Sequence, residues 1–464
     1  MIDRARLRAL FQPVDGAGLA VFRILFGLMM SAGLVRFMAN GWIERFYGGS
    51  RFFFKYWGFE WVAVPAVPWL YVLFSVLALA ALCIALGVFY RAAAAVFFLG
   101  FTYTQLLDVT NYLNHYYLVC LLALLLVLVP LHRTWSLDAR CMPAHARGTV
   151  PAWALWLLRL QVGAVYVHAG LAKLTTDWLL HAQPLNIWFT ARMETPIIGS
   201  LLDGLGIAYA ASWGVFLFEM SVVPLLLWSR SRPYIYVVIV AFHALTRVFF
   251  DIGMFPFIMV VAATVFFAPD WPRTWLRARK GHAPTPAPAT VSTPVAPVAP
   301  GRWHGLALAA MVAYAGVQVL MPLRHFLYPG DVVWNEEGMR WSWKVMLREK
   351  HGSVTYYVRT PGSAKELQVL PRRYLDSRQE REMAAQPDLI LQLAHHIAQD
   401  FRARGHGDVE VRAEALVSLN GRPAQPMIDP EVDLSRVTDG LARKPWILPE
   451  PQDPPVQLRA RRLP

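Results

Sequence analysis

Cysteine is nearly absent. The chain of 464 residues holds only three, Cys83, Cys120 and Cys141. Two lie inside apolar runs and one between runs, so neither a disulfide framework nor metal-ligand spacing is available. Charge is scarce too. Asp, Glu, Lys and Arg make up 16% of residues against 56% hydrophobic, a balance that excludes an ordinary soluble domain. The first apolar run is too long for a removed signal peptide and lacks a small-residue cleavage site, so it reads as a retained span. Neither an inverted repeat nor paired broken spans are visible, which argues against a transporter.

Apolar runs are plentiful instead. Several exceed the length a bilayer core demands, and nine candidate spans are read, at about 17–38, 68–90, 92–107, 116–131, 152–174, 207–228, 234–250, 252–268 and 303–322. The fold class predicted is a polytopic α-helical membrane protein of about nine transmembrane helices, with a C-terminal β-rich domain outside the cytoplasm. The net charge of +13 comes largely from arginines in alternate short loops, where positive charge sets orientation and needs no nucleic-acid partner. With nine spans, the positive-inside rule places the N-terminus in the cytoplasm and the C-terminal domain on the opposite side. Arg36, Arg45, Arg51 and Lys55, in the first outer loop, depart from that pattern.

Two breaks divide the chain. Residues 1–280 form the helical domain, and the Pro/Ala-rich stretch 281–301 reads as an extended cytoplasmic linker. The last span covers 302–322. After it, the apolar runs give way to alternating patterns at Arg340–Leu347 (RWSWKVML), Ser353–Val358 and Val409–Leu419, which predict strands in a domain over 323–450. One amphipathic helix is predicted at about Asp388 to Arg404, and 451–464 reads as a disordered tail.

The residues able to carry chemistry lie in the apolar runs. Lys173 ends the run VYVHAGLAKLTTDW, and an ionisable residue at membrane depth is a functional candidate by default; the alternative is a lysine snorkelling to the interface. Arg159, Tyr166, Gly170 and Lys173 follow at separations that place them on one helix face. A Lys173 kept neutral would be a base, whereas one paired with Asp177, a turn away, would be structural. His115 opens the fourth span after Asn111 and Asn114, on the same side as Lys173. His243, Arg247 and Asp251 share a face of the seventh. Glu219 and Arg23 suit a mutual or interhelical salt bridge, His168 suits packing, and His395 and His396 suit a solvated face. No metal site is predicted.

These residues carry a resemblance to the vitamin K-dependent γ-carboxylases and their bacterial relatives that share the HTTM domain. It is seen in LLDVTNYLNHYYL at Leu106–Leu118, AGLAKLTTDW at Ala169–Trp178, AFHALTRVFFDIGMFPF at Ala241–Phe257, WSWKVML at Trp341–Leu347, and SLNGRPAQPMIDPEVD in the C-terminal domain. The resemblance implies that Lys173 is the base that deprotonates a vitamin K hydroquinone, with His115 and Asn114 beside that chemistry. It also implies that His243, Trp341, Ser342 and Trp343 belong to the cofactor or substrate pocket. Oxygenation of the hydroquinone then makes a base strong enough to remove a carbon-bound proton from glutamate; a quinone epoxide is left, and the carbanion captures CO2. The implied cofactor is reduced vitamin K, as phylloquinone or menaquinone hydroquinone, with O2 and CO2 as co-substrates. The implied partners are a glutamate-containing polypeptide, a lipid quinone and the membrane, and the implied location is a bacterial inner membrane.

The sequence departs from the animal pattern in three places. Ala172 replaces a second lysine before the base, Glu336, Glu337 and Arg340 differ in a region tied to glutamate binding, and cysteines for the animal inter-domain disulfide are missing. Two other functions stay open: a quinol oxygenase or epoxidase with another substrate, and a non-catalytic quinone- or peptide-binding membrane protein.

Overall fold

The computed structural model describes residues 9–142, 148–195, 199, 202, 204–250, 252–280 and 302–458, the side chains of 302–304 excepted. The expected linker 281–301 lies outside them, as do Asp251 and the last six residues of the expected tail. A ribbon of β1 (Pro13–Asp15) and β2 (Thr149–Pro151) ties the start of the bundle to its middle. The helices are α1 (Ala17–Ala39), α2 (Val67–Leu86), α3 (Tyr90–Leu106), α4 (Asn114–Leu128), α5 (Ala152–Ala172), α6 (Thr176–His181), α7 (Leu185–Thr190), α8 (Leu205–Leu227), α9 (Arg232–Phe249), α10 (Phe255–Ala263), α11 (Trp271–Arg279) and α12 (Arg302–Leu320).

Among the described residues six helices are long and apolar enough to cross a membrane, α1, α2, α5, α8, α9 and α12, or seven if α10 and α11 make one bent span. The expected nine are not reached. α3 and α4 have 17 and 15 residues; α3 ends just before Asp108, which caps the turn between them and accepts from Gln379 of the C-terminal domain. The eighth expected span, 252–268, holds α10 and ends where the chain bends by 88° into α11, at Pro269 and Pro272, which remove backbone donors and disfavour continued helix. α5 is the most enclosed span, 72% buried against 11% for the stretch that includes α12. Outward-facing Leu79, Leu99, Leu217, Val237 and Val248 are exposed, which suits an apolar surrounding rather than water.

The C-terminal domain is an antiparallel sheet covered by two helices. β3 (Lys350–Arg359), β4 (Glu366–Val369), β5 (Glu410–Leu419) and β6 (Gln425–Pro426) lie in the order β4-β3-β5-β6. On β5 the alternate residues Val411, Ala413, Ala415, Val417 and Leu419 are buried, and they face Val354, Tyr356 and Val358 of β3 in register. The predicted strands at 353–358 and 409–419 thus fall on β3 and β5. The third, at 340–347, does not form: Trp341, Trp343 and Met346 have positive φ, a strained conformation for bulky residues that breaks any strand. α13 (Ser377–Ala384) opens with a capping box from Asp376 and Gln379. α14 (Pro387–Ala403) buries Leu389, Ile390, Leu393, Ala394, Ile397 and Phe401 against the sheet, each large side chain stabilising by about 2 kcal/mol. His395 and His396 are not a solvated face: one bonds Val437 O at 2.8 Å and the other packs on Phe52 and Tyr374.

Polar contacts dock this domain on the bundle. Gln379 Nε2 donates to Phe52 O and Asp108 Oδ2, both at 2.9 Å, and Gln392 exchanges bonds with the backbone of Lys55. Residues 453–458, expected as free tail, form neither helix nor strand, yet their backbone is held. Asn186 brackets Leu458 from both sides, Gln183 donates to Val456 O, and Arg422 donates to Asp453 O.

Candidate active site

Lys173 follows the last residue of α5, and Gly170 one turn earlier determines what it meets. A Cβ on Gly170 would lie 2.8 Å from Met220 Sδ and 3.3 Å from Glu219 Cβ, so the glycine eases the close approach of α8 and a larger residue would push Met220 and Glu219 outward. That approach brings Glu219 Oε2 to 2.8 Å from Lys173 Nζ. The lysine is 2% exposed. Its remaining donors reach Ala169 O at 3.3 Å and Val345 O at 3.5 Å, and the Trp178 ring centre lies 5.0 Å away. Three acceptors therefore match the three N–H bonds of an ammonium.

The expected alternative partner is engaged elsewhere. Asp177 receives both arms of Arg422, at 2.7 and 2.6 Å, and Asn420 Nδ2 at 2.9 Å. Glu219 does not pair with Arg23, whose Nη2 instead donates to Trp135 O at 2.6 Å. His168 is a packing residue with both ring nitrogens on backbone carbonyls.

Above the ion pair opens a cleft with about 620 Å³ of empty space, its mouth included, lined by Tyr166, Trp178, Trp188, Phe242, Phe250, Phe255 and Met346 besides Lys173, Glu219 and His243. His243 is 1% exposed; its Nε2 lies 3.2 Å from Tyr166 OH, and its Nδ1 is buried without a partner. A largely apolar cleft lined by aromatic rings, with one orphaned polar atom and one ion pair, has the chemistry to receive an aromatic ligand bearing a hydroxyl. Among the described residues no group of three or more His, Cys, Asp and Glu is placed to hold a metal ion.

The structure thus brings Lys173 and His243 together and adds Glu219, whose partner the sequence did not reveal because it stands on another helix. His115 lies behind the cleft wall, its ring 5.9 Å from Phe255, with Nε2 buried and unpartnered. Asn114 faces a different, polar cavity and donates to Lys344 O at 3.3 Å. Trp341, Ser342 and Trp343 line neither cavity. Trp341 stacks on Tyr56 and Trp343 on Tyr117, with centroids 5.6 and 5.0 Å apart, and Ser342 Oγ donates to Gly338 O. They anchor the strained loop that carries Val345 to Lys173.

The Asp177 carboxyl links α6, a wall of the cleft, to the C-terminal domain. Burial pushes its pKa up, but the Arg422 fork and Asn420 outweigh this and hold it below the usual aspartate range. A depressed carboxylate stabilises at neutral pH, and that contribution is lost as pH falls through its folded pKa. Hydrogen-exchange protection at Trp178–Trp188, taken relative to the intrinsic rate at each pH, is therefore expected to fall on acidification below the ordinary aspartate value. Arg422→Ala is expected to lower it already at pH 7, weakening the local structure by about 2 kcal/mol. Exchange rates unchanged by Arg422→Ala would remove this pair from the account.

Comparison with known proteins agrees with this two-part architecture. The HTTM domain family matches residues 11–271, and the vitamin K-dependent gamma-carboxylase lumenal domain matches residues 303–453. No solved structure matches the chain. The bundle with its buried Lys173 falls within the first match and the sheet domain within the second, and the chain belongs to the vitamin K-dependent gamma-carboxylase family.

Proposed function

We propose that the protein couples oxygenation of reduced vitamin K to deprotonation and carboxylation of glutamate in a polypeptide, with the chemistry starting at Lys173. The observation that carries this reading is a lysine buried against Glu219 at the floor of an aromatic cleft. When bound, the hydroquinone and O2 supply the strong base that glutamate requires, and CO2 supplies the new carboxyl carbon.

The chain's own residues have narrower tasks. As a base, Lys173 must be an amine. The pair it makes with Glu219 can hold one proton on either side, so Glu219 is the group that takes the ammonium proton and frees the amine. Glu219 then holds the proton, and Lys173 Nζ accepts another from a hydroquinone hydroxyl within reach. Tyr166 fixes the His243 ring through the 3.2 Å bond, which leaves Nδ1 to orient a ligand oxygen. Trp178, Trp188, Phe250 and Phe255 exclude water that would quench a strong base. The C-terminal domain presents the polypeptide, and on this reading it lies outside the cytoplasm of a bacterial inner membrane.

The test is incubation of the full-length protein in detergent with reduced vitamin K, O2, labelled hydrogen carbonate and a glutamate-rich peptide. Expected products are labelled peptide and quinone epoxide together. Epoxide without label would favour an oxygenase of other substrate, and neither product from folded protein would favour a binding protein.

A further inference from the structure

The bend after α10 leaves a short helix with an open apolar side. α10 packs against α1 and α5, and the chain then turns by 88° into α11. Gly18 N donates to Pro269 O at 2.7 Å, and Arg273 Nε lies 3.0 Å from Asp15 Oδ2, so α11 sits level with the start of α1, at one end of the bundle. Arg159 fixes the elbow. Its Nε donates to Val265 O at 3.0 Å and its Nη2 to Phe266 O at 3.2 Å and Phe267 O at 3.0 Å, taking up carbonyls that a helix end otherwise leaves bare.

α11 is a poor continuation of a span. Three arginines fall within its nine residues, too much charge for a hydrocarbon core. Its periodicity is that of a helix lying along a surface. Trp271, Trp275 and Leu276 project to one side, and Arg273, Arg277 and Lys280 to the other. Within the helix only Pro272 is buried; Trp275 is 51% and Leu276 41% exposed, so the protein itself leaves the apolar side uncovered. Arg279 folds over the Trp275 ring, 4.5 Å from its centre. The charges are open as well. Arg273 has Asp15, while Arg277, Arg279 and Lys280 are exposed and have no ion-pair partner among the described residues.

We propose that α11 is a seat for anionic phospholipid headgroups, with Trp275 and Leu276 entering the acyl boundary and Arg277, Arg279 and Lys280 on the phosphates. A helix with tryptophan and leucine on one side and basic residues on the other lies in the plane of the interface, and each basic residue near an anionic surface adds to the attraction. The Trp275 ring under Arg279 holds that charge at headgroup depth. The seat requires only that the bundle stands in a bilayer and is independent of the chemistry in the cleft. It bears on the cleft all the same, because α10 carries Phe255 and Met259 into the lining and leads into α11.

The experiment measures binding of single phospholipids to the full-length protein in detergent by native mass spectrometry, using phosphatidylglycerol and phosphatidylcholine with the same acyl chains. Wild type is expected to bind phosphatidylglycerol about 10-fold tighter than phosphatidylcholine. R277Q/R279Q/K280Q should bring the two lipids within about 2-fold of each other, and R277K/R279K, which keeps the charge, should stay near wild type. The control is R91Q/R140Q/R230Q, which removes three exposed arginines from other turns of the bundle and should keep most of the preference. Wild type that binds the two lipids alike overturns the seat, and so does a preference unchanged in R277Q/R279Q/K280Q or lost in R277K/R279K. A control variant that loses as much as the α11 variant overturns it too, since the summed charge of the protein would then suffice without this helix.

Discussion

Lys173→Ala is expected to lower both epoxide formation and label incorporation by about 10² to 10⁴-fold, the usual contribution of a positioned base. The substitution removes the amine and leaves a void beside Glu219, bounded by Ala169, Val345 and Trp178. A small primary amine fits such a void, so ethylamine supplied in solution is expected to return part of the lost turnover. Rescue should grow with the concentration of the free-base form and therefore with pH. A lysine that only held α5 to α8 would give the opposite outcome, in which folded protein falls in step with activity and ethylamine does nothing. Unchanged turnover in Lys173→Ala would remove the base from this position altogether.

The sequence located Lys173 because a charge at the end of an apolar run is conspicuous whatever surrounds it. Its partner was illegible. Glu219 lies on α8, and the 2.8 Å contact depends on the close approach that Gly170 allows, a property of two packed helices that no single-helix periodicity contains. Asp177 looked like the nearer candidate by spacing, but Arg422 reaches it from the C-terminal domain. The helix count failed for a related reason. Hydropathy measures apolar length, and the runs at 92–107 and 116–131 are apolar yet give helices of only 17 and 15 residues, joined by a turn whose Asp108 carboxylate is satisfied by Gln379 some 271 positions away in sequence. Strands were readable where alternation was backed by burial, as in β5. They were misread at Arg340–Leu347, where W-S-W imitates alternation while each tryptophan stacks on a different tyrosine, Tyr56 or Tyr117. Asn114 and His115 are adjacent in sequence, yet one faces the polar cavity and the other packs behind Phe255.

The Lys173 and Glu219 pair should also be separable from chemistry by a thermodynamic cycle. Lys173→Met strands a carboxylate, and Glu219→Leu strands an ammonium, each in the same apolar surroundings. Loss of one member of a buried pair costs about 3–5 kcal/mol, whereas replacing both by apolar groups of similar volume is close to neutral. The double variant is therefore expected within about 1 kcal/mol of wild type, with a coupling of several kcal/mol between the sites. Reversible unfolding in mixed micelles measures all four corners. Single variants within about 0.5 kcal/mol of wild type would mean that water or a shifted proton relieves the stranded charge, and that the pair is weaker than its geometry suggests. The informative corner is the double variant. If it is as stable as wild type and yields neither epoxide nor labelled peptide, the fold has no need of these two charges. Their burial in the cleft then serves proton transfer.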